Sequence, residues 1–345
     1  MNHLLGEDLI IPEYAMSYSA NSTRYSQMKY RSCGHSGLKL PIVSLGLWHN
    51  FGSVDRFDNM REMCFTAFDN GITHFDLANN YGPTAGSAEE NFGRILKNDM
   101  SAYRDQLIIS TKAGYYMWEG PYGDGGSRKY LISSLDQSLK RMGLEYVDIF
   151  YHHRMTPETP LEETVLALSQ IVRSGKALYV GLSNYNGETM KRASDLLNEL
   201  KVPFIINQNS YNIINRTPET NGLLSAAKQE GKGVICFSPL AQGVLTDRYL
   251  RGIPSDSRAA RNAFLKSSQL TDETLAKIRA LNDIASRRGQ SLAEMALAWV
   301  LKNDAVTSVL IGASSPEQIL INLKCVNSPD FDASELKLID ETAFH

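Results

Sequence analysis

The sequence contains few cysteines, and they form neither a metal-binding nor a disulfide pattern. Cys33, Cys64, Cys236 and Cys325 are far apart and include no CxxC pair. Zinc sites and disulfide frameworks both depend on cysteines at characteristic spacings. The sequence therefore predicts no metal site and no disulfide, and it favours a reducing compartment, the cytoplasm.

Long apolar runs and blocks of like charge are also missing. No run approaches the ~18 apolar residues of a membrane span. The chain has 35 basic and 38 acidic residues, a formal net charge of -3, and no basic patch. Glu7 and Asp8 stand where a secretory signal needs positive charge, so residues 1–25 are interpreted as an N-terminal tail. The composition predicts no nucleic-acid or membrane partner and favours a small molecule.

The familiar glycine-rich phosphate cradles are absent as well. No GxGxxG follows the first apolar run, and neither GKS nor GKT occurs. The glycine cluster at 120–126 is interpreted as a loop between a strand and a helix. A bound nucleotide would therefore need another cradle, and barrels of alternating strands and helices tend to bind phosphate at their late βα loops.

The chain instead shows a regular alternation of apolar runs and helix patterns. The runs are apolar along most of their length, as parallel strands are when both faces are covered. They are IVSLGLW, ITHFDLA, QLIISTK, YVDIFYH, ALYVGLS, PFIINQN, GVICFSP and TSVLIGA. Eight such units predict one α/β domain at 26–345, a (β/α)8 TIM barrel. Residues around Gly34–Gly37 predict an N-terminal β-hairpin, and 251–269 predict a long late βα loop.

One helix pattern indicates how the barrel would be covered. After Pro160, an apolar face is formed by Leu161, Val165, Leu168 and Val172, at spacings of four, three and four. These spacings place one stripe toward the sheet and leave the intervening charges in water.

Four polar side chains follow three of the predicted strands. Asp76 and Tyr81 lie in FDLANNYG, Lys112 ends LIISTK, and His153 ends VDIFYHH. Each alone would usually be a surface group, but the C-terminal ends of parallel barrel strands meet at one mouth. A carbonyl reduced by hydride needs a proton for its oxygen, and a phenol whose pKa is lowered from ~10 by a nearby ammonium can supply it. The combination predicts a carbonyl reductase site.

These motifs resemble the aldo-keto reductase family over about residues 28–340. The segments GLSNY, INQNSYN, FSPLAQGVLT and SVLIGASSPEQILIN follow in the same order. The long segments NNYGPTAGSAEENFGRIL and SLKRMGLEYVDIFY are similar to the branch of the family that includes the potassium channel beta subunits.

The resemblance implies an NADPH-dependent reductase of small aldehydes, with L-glyceraldehyde 3-phosphate and methylglyoxal as candidate substrates. In this pattern Asp76 pairs with Lys112, whose charge lowers the Tyr81 pKa. Tyr81 protonates the carbonyl oxygen and His153 orients the carbonyl. Neighbouring residues on a strand point to opposite sides, and the match to VDIFYHHR favours His153 over His152. The resemblance also implies a homo-oligomer, a tetramer or larger.

The resemblance further implies where the nucleotide and the aldehyde would bind. The residues that would contact NADPH or NADP+ are Trp48, Asp76, Ser183, Asn184, Gln208, Tyr211, Phe237, Ser238, Pro239, Leu240, Ala241, Gly243, Arg248, Ser257, Arg258, Gly312, Ala313, Ser314, Gln318 and Asn322. Tyr211 would lie against the nicotinamide ring, while Arg258 and Ser314 would favour the 2'-phosphate of NADPH. The residues that would contact the substrate are Trp48, Tyr81, Trp118, His153 and Arg154. Arg154 would be the cation for a phosphorylated aldehyde.

Two other functions stay open at this point. A regulatory subunit would bind NADPH and a partner membrane protein while turning over slowly, as the resemblance to channel beta subunits implies. An aldolase-type barrel would use Lys112 as a Schiff-base nucleophile. The carboxylate of Asp76 argues against the aldolase, because it would keep the lysine protonated.

Overall fold

The computed structural model describes residues 18–250, 252–254, 260, 265, 268 and 270–344. Its strands are β1 Tyr30–Ser32, β2 Lys39–Pro41, β3 Val43–Gly46, β4 His74–Asp76, β5 Ile108–Ala113, β6 Val147–His152, β7 Ala177–Ser183, β8 Phe204–Ser210, β9 Gly233–Phe237 and β10 Val306–Ile311. Its α-helices are α1 Phe57–Asp69, α2 Ser87–Ile95, α3 Arg128–Met142, α4 Leu161–Arg173, α5 Gly187–Glu199, α6 Thr217–Thr220, α7 Leu223–Gln229, α8 Asp272–Arg287, α9 Leu292–Leu301, α10 Pro316–Leu323 and α11 Ala333–Phe344.

Strands β3 to β10 form a closed parallel barrel, which confirms the predicted (β/α)8 fold. The strands follow one another around the barrel in chain order, and β10 pairs with both β9 and β3. Helices cover the outer face of the strands and the inner faces meet in the barrel interior, so the strands are buried on both sides. In β6, for example, every residue from Val147 to His152 is buried.

The predicted hairpin is present and closes the barrel at the end where its strands begin. Strands β1 and β2 pair antiparallel, with Tyr30 opposite Pro41. The turn after β1 contacts the chain just before β9, where His35 N donates to the Gly231 carbonyl. Cys33 is fully buried there, among barrel side chains such as Ile235. The accessible mouth is therefore at the opposite end, where the strands finish.

Helix α4 has the apolar face that its sequence predicts. Leu161, Val165 and Leu168 are buried, and Val172 is half-buried against the core. Glu162, between them in sequence, is exposed. A stripe of this width is what a helix needs to cover a sheet on one side and remain solvated on the other.

The two irregular regions differ in how much of each is described. In the N-terminal segment, Tyr18 stacks on Phe65 of α1 with ring centroids 4.0 Å apart, and its hydroxyl donates to Asp69. Residues 1–17 lie outside the described residues. The late loop connects β9 to α8, and its first part contains the single helical turns Ala241–Gly243 and Asp247–Tyr249. Of the 251–269 stretch, the structure describes 252–254, 260, 265 and 268.

Candidate active site

The barrel brings the four predicted catalytic side chains together at its mouth. Lys112 Nζ lies 2.5 Å from Asp76 Oδ2 and 2.6 Å from the Leu77 carbonyl oxygen. The same Nζ is 4.9 Å from the centroid of the Tyr81 ring. The rings of Tyr81 and His153 are 6.1 Å apart and meet edge to face. Three adjacent strands, β4, β5 and β6, thus converge as parallel barrel topology requires.

The carboxylate of Asp76 is fully buried and is held by several donors. Ser110 Oγ donates to Oδ1 at 2.6 Å, and Gln208 Nε2 reaches the same oxygen from across the barrel at 3.2 Å. Lys112 occupies the other oxygen. A buried carboxylate costs free energy unless donors and an opposite charge compensate it, and here both are present.

Lys112 is also fully buried, and two opposing effects act on its amine. Burial lowers the pKa of Lys112, and the neighbouring Asp76 carboxylate raises it. Its hydrogen bonds to Asp76 and to the Leu77 carbonyl hold Nζ in one position. An amine so occupied by a carboxylate is poorly placed to attack a carbonyl, which disfavours the Schiff-base alternative.

The pKa of Tyr81 moves in the direction opposite to the one expected from Lys112. Tyr81 is only 9% exposed, and burial raises its pKa well above the ordinary value, with further contributions from Asp76 and Tyr115. The expected lowering fails because burial outweighs the lysine charge, which the Asp76 carboxylate also compensates. The phenol is therefore fully protonated at neutral pH, the form that a proton donor needs.

The two adjacent histidines point to opposite sides of the barrel wall. His152 points outward, where its Nδ1 is 2.7 Å from the Tyr185 hydroxyl. His153 points to the mouth, next to Tyr81 and against the edge of the Tyr115 ring at 4.6 Å. Burial, together with the Lys112 charge, lowers the His153 pKa well below 6.5, so the imidazole is neutral. A neutral imidazole keeps one N–H that can donate to a carbonyl oxygen.

Polar side chains at the ends of β7 and β8 line the mouth beside this group. Asn184 donates through Nδ2 to the His153 carbonyl at 3.0 Å and to Ser183 Oγ at 3.2 Å. Gln208 is bound to Asp76. These groups therefore connect β7 to His153 and β8 to the Asp76–Lys112 pair.

The structure corrects the expected position of Tyr211. Its side chain is fully buried, its hydroxyl donates to Glu219 of α6, and its ring lies 5.4 Å from Trp299 of α9. It lies just past the end of β8, where the chain has left the barrel wall, and it faces the surrounding helices instead of the mouth. Phe237, at the end of β9, is half-buried and packs against the inner barrel cluster. Phe237, and not Tyr211, is thus the residue that can lie against the nicotinamide ring from this side of the barrel.

The loop after β9 has an unusual backbone. Ser238, Ala241 and Gln242 have positive φ angles of 52°, 47° and 58°, and Gly243 follows with 96°. Left-handed residues other than glycine cost free energy and concentrate at ligand-binding loops. Pro239 and Leu240 belong to the same turn, and Leu240 accepts from the amides of Gly243 and Leu245.

The remaining predicted nucleotide contacts lie after β9 and after β10 in the chain. Gln318 accepts from both the backbone N–H and the hydroxyl of Ser314, which follows Gly312 and Ala313 at the start of α10. Asn322 is buried within α10, and Arg248 is exposed after β9. Ser257 and Arg258 lie outside the described residues.

Three of the predicted substrate contacts, Trp48, Trp118 and Arg154, have different neighbours. Trp48 stacks on Tyr81 with centroids 6.0 Å apart. Trp118 packs on Tyr130 instead, at 5.2 Å. Arg154 is held by both oxygens of Asp124 at 2.9 and 3.0 Å, and its Nε donates to the Gly114 carbonyl.

Sequence reasoning missed Tyr115. Its ring contacts His153 on one side and lies 4.3 Å below the Arg154 guanidinium on the other. The Tyr130 hydroxyl, which accepts from Asn79, donates to the Tyr115 carbonyl and fixes this loop. The available signal was an aromatic residue three positions after Lys112, at the start of a βα loop.

These side chains fit a nicotinamide nucleotide. Ser183, Asn184 and Gln208 supply the donors and acceptors that a carboxamide needs, and the half-buried Phe237 supplies an apolar face. Helix α10 begins at Pro316 without a side-chain cap, so its first N–H groups suit a phosphate. Among the described residues no cluster of His, Cys, Asp and Glu could hold a metal, and no helix there is long and apolar enough to cross a membrane.

Several known proteins are similar to this chain over most of its length. The model of the aldo/keto reductase family matches residues 43–343. The chain is 58% identical over 330 residues to L-glyceraldehyde 3-phosphate reductase of Escherichia coli (strain K12), covering 94% of this chain and 95% of that protein. It is 36% identical over 304 residues to a probable voltage-gated potassium channel subunit beta of Oryza sativa subsp. japonica, covering 87% and 92%.

A solved structure carries the same fold. A thermostable aldo-keto reductase in complex with the inhibitor epalrestat matches with a TM-score of 0.72 at 29% identity, covering 91% of this chain and all of that one. The family match spans nearly the whole barrel, from β3 to α11. The chain belongs to the aldo-keto reductase family and is an oxidoreductase of the kind that uses a nicotinamide nucleotide.

Proposed function

We propose that this protein reduces small aldehydes with NADPH, with L-glyceraldehyde 3-phosphate as the principal substrate and methylglyoxal as a second one. The observation that carries the proposal is the nearly buried Tyr81 beside the Asp76–Lys112 pair and His153 at the barrel mouth. The 58% identity to a protein named L-glyceraldehyde 3-phosphate reductase supports the substrate.

Each catalytic side chain has a distinct role in this proposal. The nucleotide, when bound, supplies the hydride. Tyr81 gives its hydroxyl proton to the carbonyl oxygen as negative charge develops there. The N–H of the neutral His153 orients the same oxygen, which is an electrostatic contribution of the oxyanion-hole kind. Lys112 stabilises the phenolate that Tyr81 leaves behind, and Asp76 holds the lysine in place.

The preference for NADPH over NADH would come from the adenosine end of the site. A 2'-phosphate needs cations and hydroxyl donors. Ser314 stands at the mouth, next to the N-terminus of α10, and its hydroxyl is oriented by Gln318. Arg258 is the second candidate, assigned from its place in the sequence.

The selectivity for a phosphorylated aldehyde would come from Arg154. This guanidinium stacks on Tyr115, whose ring touches His153, so it lies one side chain away from the reacting carbonyl. Guanidinium groups bind phosphate through paired hydrogen bonds. Asp124 pairs with Arg154 in the structure, and a substrate phosphate would compete with that carboxylate.

The principal test compares wild type with Tyr81→Phe in NADPH oxidation, using L-glyceraldehyde 3-phosphate, methylglyoxal and a plain aromatic aldehyde. The phenylalanine keeps the ring but removes the proton, so we expect kcat to fall by about 10²- to 10⁴-fold. NADPH affinity, measured by fluorescence quenching, should be unchanged. Tight NADPH binding by wild type without turnover of any aldehyde would instead favour a regulatory subunit.

The substrate assignment is tested by Arg154→Ala with Asp124→Asn as the matched control. We expect the alanine variant to lose about 10- to 100-fold in kcat/KM for L-glyceraldehyde 3-phosphate relative to the plain aldehyde, the size of a charge-assisted hydrogen bond. Asp124→Asn removes the competing carboxylate and should preserve or raise that preference. An unchanged preference in the alanine variant would remove Arg154 from the phosphate site.

A further inference from the structure

A row of hydrogen-bonded polar side chains crosses the barrel interior and ends on Asp76. Ser308 Oγ and Ser44 Oγ are 2.7 Å apart, and Ser44 Oγ is 2.9 Å from His74 Nδ1. On the other side of the ring, His74 Nε2 is 2.9 Å from Ser110 Oγ, which is 2.6 Å from Asp76 Oδ1. All five residues are fully buried. The row runs over four neighbouring strands, β10, β3, β4 and β5.

The direction of every hydrogen bond in this row follows from the charge at its end. An ionised carboxylate only accepts, so the single proton of the Ser110 hydroxyl goes to Asp76. Ser110 Oγ must then accept from His74, which places the imidazole proton on Nε2. His74 Nδ1 is left as an acceptor for the Ser44 hydroxyl, and Ser44 in turn accepts from Ser308. Burial lowers the pKa of His74 to about 4, in keeping with a neutral ring that has one donor and one acceptor.

We propose that His74 is a positioning residue for the catalytic pair, because its Nε2–H fixes the Ser110 hydroxyl in the orientation that donates to Asp76. With Oδ1 held by Ser110 and Gln208, the carboxylate presents Oδ2 to Lys112 Nζ. The proposal rests on the proposed reductase function, since Asp76 acts there through Lys112. The His74 side chain forms hydrogen bonds to Ser44 and Ser110, and to neither Lys112 nor Tyr81.

Loss of the His74 Nε2–H donor should change the pH profile of kcat, which loss of a purely structural residue would not do. Without His74 to orient it, the Ser110 hydroxyl can turn away from Asp76. A carboxylate that loses a hydrogen-bond donor binds its proton more tightly. The acid limb of the kcat profile is the pH range in which protonation removes the charges of the Asp76–Lys112 pair. This limb should then move to higher pH.

The other titratable groups around Asp76 can be separated from this effect. They are Lys112 from β5, Tyr81 from the loop after β4, Tyr151 from β6 and His74 itself. Burial raises the pKa of both tyrosines, so they titrate on the alkaline side, whereas burial lowers the pKa of Lys112. His153, near Lys112, is the same in every variant below, and His74 is the residue replaced. Because His74 itself titrates near pH 4 in wild type, the comparison that keeps its protonation in both proteins is Ser110→Ala against wild type.

The first experiment determines which nitrogen of the His74 imidazole carries the proton, and it does not depend on catalysis. The ¹⁵N chemical shifts of His74 in the full-length wild-type protein at pH 7 distinguish the two neutral tautomers. We expect the proton on Nε2 and an unprotonated Nδ1. A proton on Nδ1 would mean that Ser110 donates to His74 instead of Asp76, and the proposal would be wrong even if the protein is an active reductase.

The second experiment measures kcat, KM and the pH profile with whichever aldehyde wild type reduces best. His74→Leu, which can neither donate nor accept, should lower kcat by roughly tenfold and move the acid limb up by about one pH unit, with KM unchanged. His74→Gln can restore a donor to Ser110 and should recover most of both changes. Ser110→Ala should reproduce the leucine variant, and it tests the same bond if that variant does not fold.

Ser308→Ala is the matched control, because it removes the far end of the row. Ser44 still donates to His74 without Ser308, so kcat and the acid limb should stay at their wild-type values. Equal changes in Ser308→Ala and His74→Leu, or a wild-type profile in both His74→Leu and Ser110→Ala, would overturn the positioning role. Failure of wild type to reduce any aldehyde would refute the reductase function and leave the tautomer measurement to decide on His74.

Discussion

At the level of single residues, Asp76 largely compensates the charge of Lys112 and so reduces the effect of that charge on Tyr81. Nζ is 2.5 Å from the carboxylate but 4.9 Å from the centroid of the phenol ring. Since Coulomb energies fall with distance, the pair acts on Tyr81 as a compact dipole and not as a free cation. Sequence identified all three residues, but only the structure shows that Tyr81 is buried, and burial is the main cause of its raised pKa.

The two adjacent histidines give a prediction at this scale. His152→Leu breaks a buried hydrogen bond to Tyr185 and should lower the free energy of unfolding by about 1–3 kcal/mol while kcat changes little. His153→Leu should leave stability nearly unchanged but lower kcat by at least about tenfold, because the N–H at the carbonyl oxygen is lost. Urea unfolding and steady-state kinetics on both variants measure this separation. Equal losses of kcat would contradict the assignment of the mouth to His153.

At the level of elements, the pairing of β6 with β7 depends on a glycine that makes room for an aromatic ring. Tyr151 of β6 stands directly opposite Gly181 of β7. A Cβ at Gly181 would lie 2.3 Å from two carbons of the Tyr151 ring. The sequence run ALYVGLS predicts a strand, but it does not say that its glycine makes room for an aromatic ring of the neighbouring strand.

Gly181→Ala should therefore destabilise the barrel by about 1–3 kcal/mol, the cost of overpacking a closely packed interior. Gly37→Ala is the control, since an added Cβ there meets nothing within 4 Å. Its free energy of unfolding should differ from wild type by less than about 1 kcal/mol. Denaturant unfolding measures both, and a Gly181→Ala variant as stable as Gly37→Ala would show that the ring can move aside.

At the level of the whole molecule, buried neutral histidines couple stability to pH. Burial lowers the pKa of His74 to about 4 and that of His152 to about 3, whereas an unfolded histidine titrates near ~6.5. Between these values the unfolded chain binds more protons than the folded one. Stability is thus complete above about pH 6.5 and is lost as the pH falls toward the folded-state values.

We expect each of these two histidines, and His153, whose pKa burial also lowers, to remove about 1–2 kcal/mol from the free energy of unfolding between pH 7.5 and pH 5.0. Urea unfolding at both pH values measures the total. His74→Gln should show a shallower dependence, since glutamine does not titrate, and the exposed His35→Gln should match wild type. If His74→Gln kept the full wild-type dependence, His74 would not be the group responsible.

The oligomeric state implied by the family resemblance stays a prediction.

The sequence by itself determined the order and number of the barrel strands and the identity of four residues at their ends. Continuous apolar runs indicate parallel strands whatever the details of packing, and the C-terminal ends of such strands share one mouth. Asp76, Tyr81, Lys112 and His153 could be assigned for this reason.

Only the tertiary structure decided which other side chains join that site. Tyr211 was assigned to the mouth and faces the helices, because the direction of a residue just past a strand depends on how the chain leaves the barrel. Tyr115 was missed although it touches His153. The His74 row joins residues up to 264 positions apart in sequence, and no local pattern encodes such a contact. Closure of the barrel brings these groups within hydrogen-bonding distance, and burial then sets their protonation.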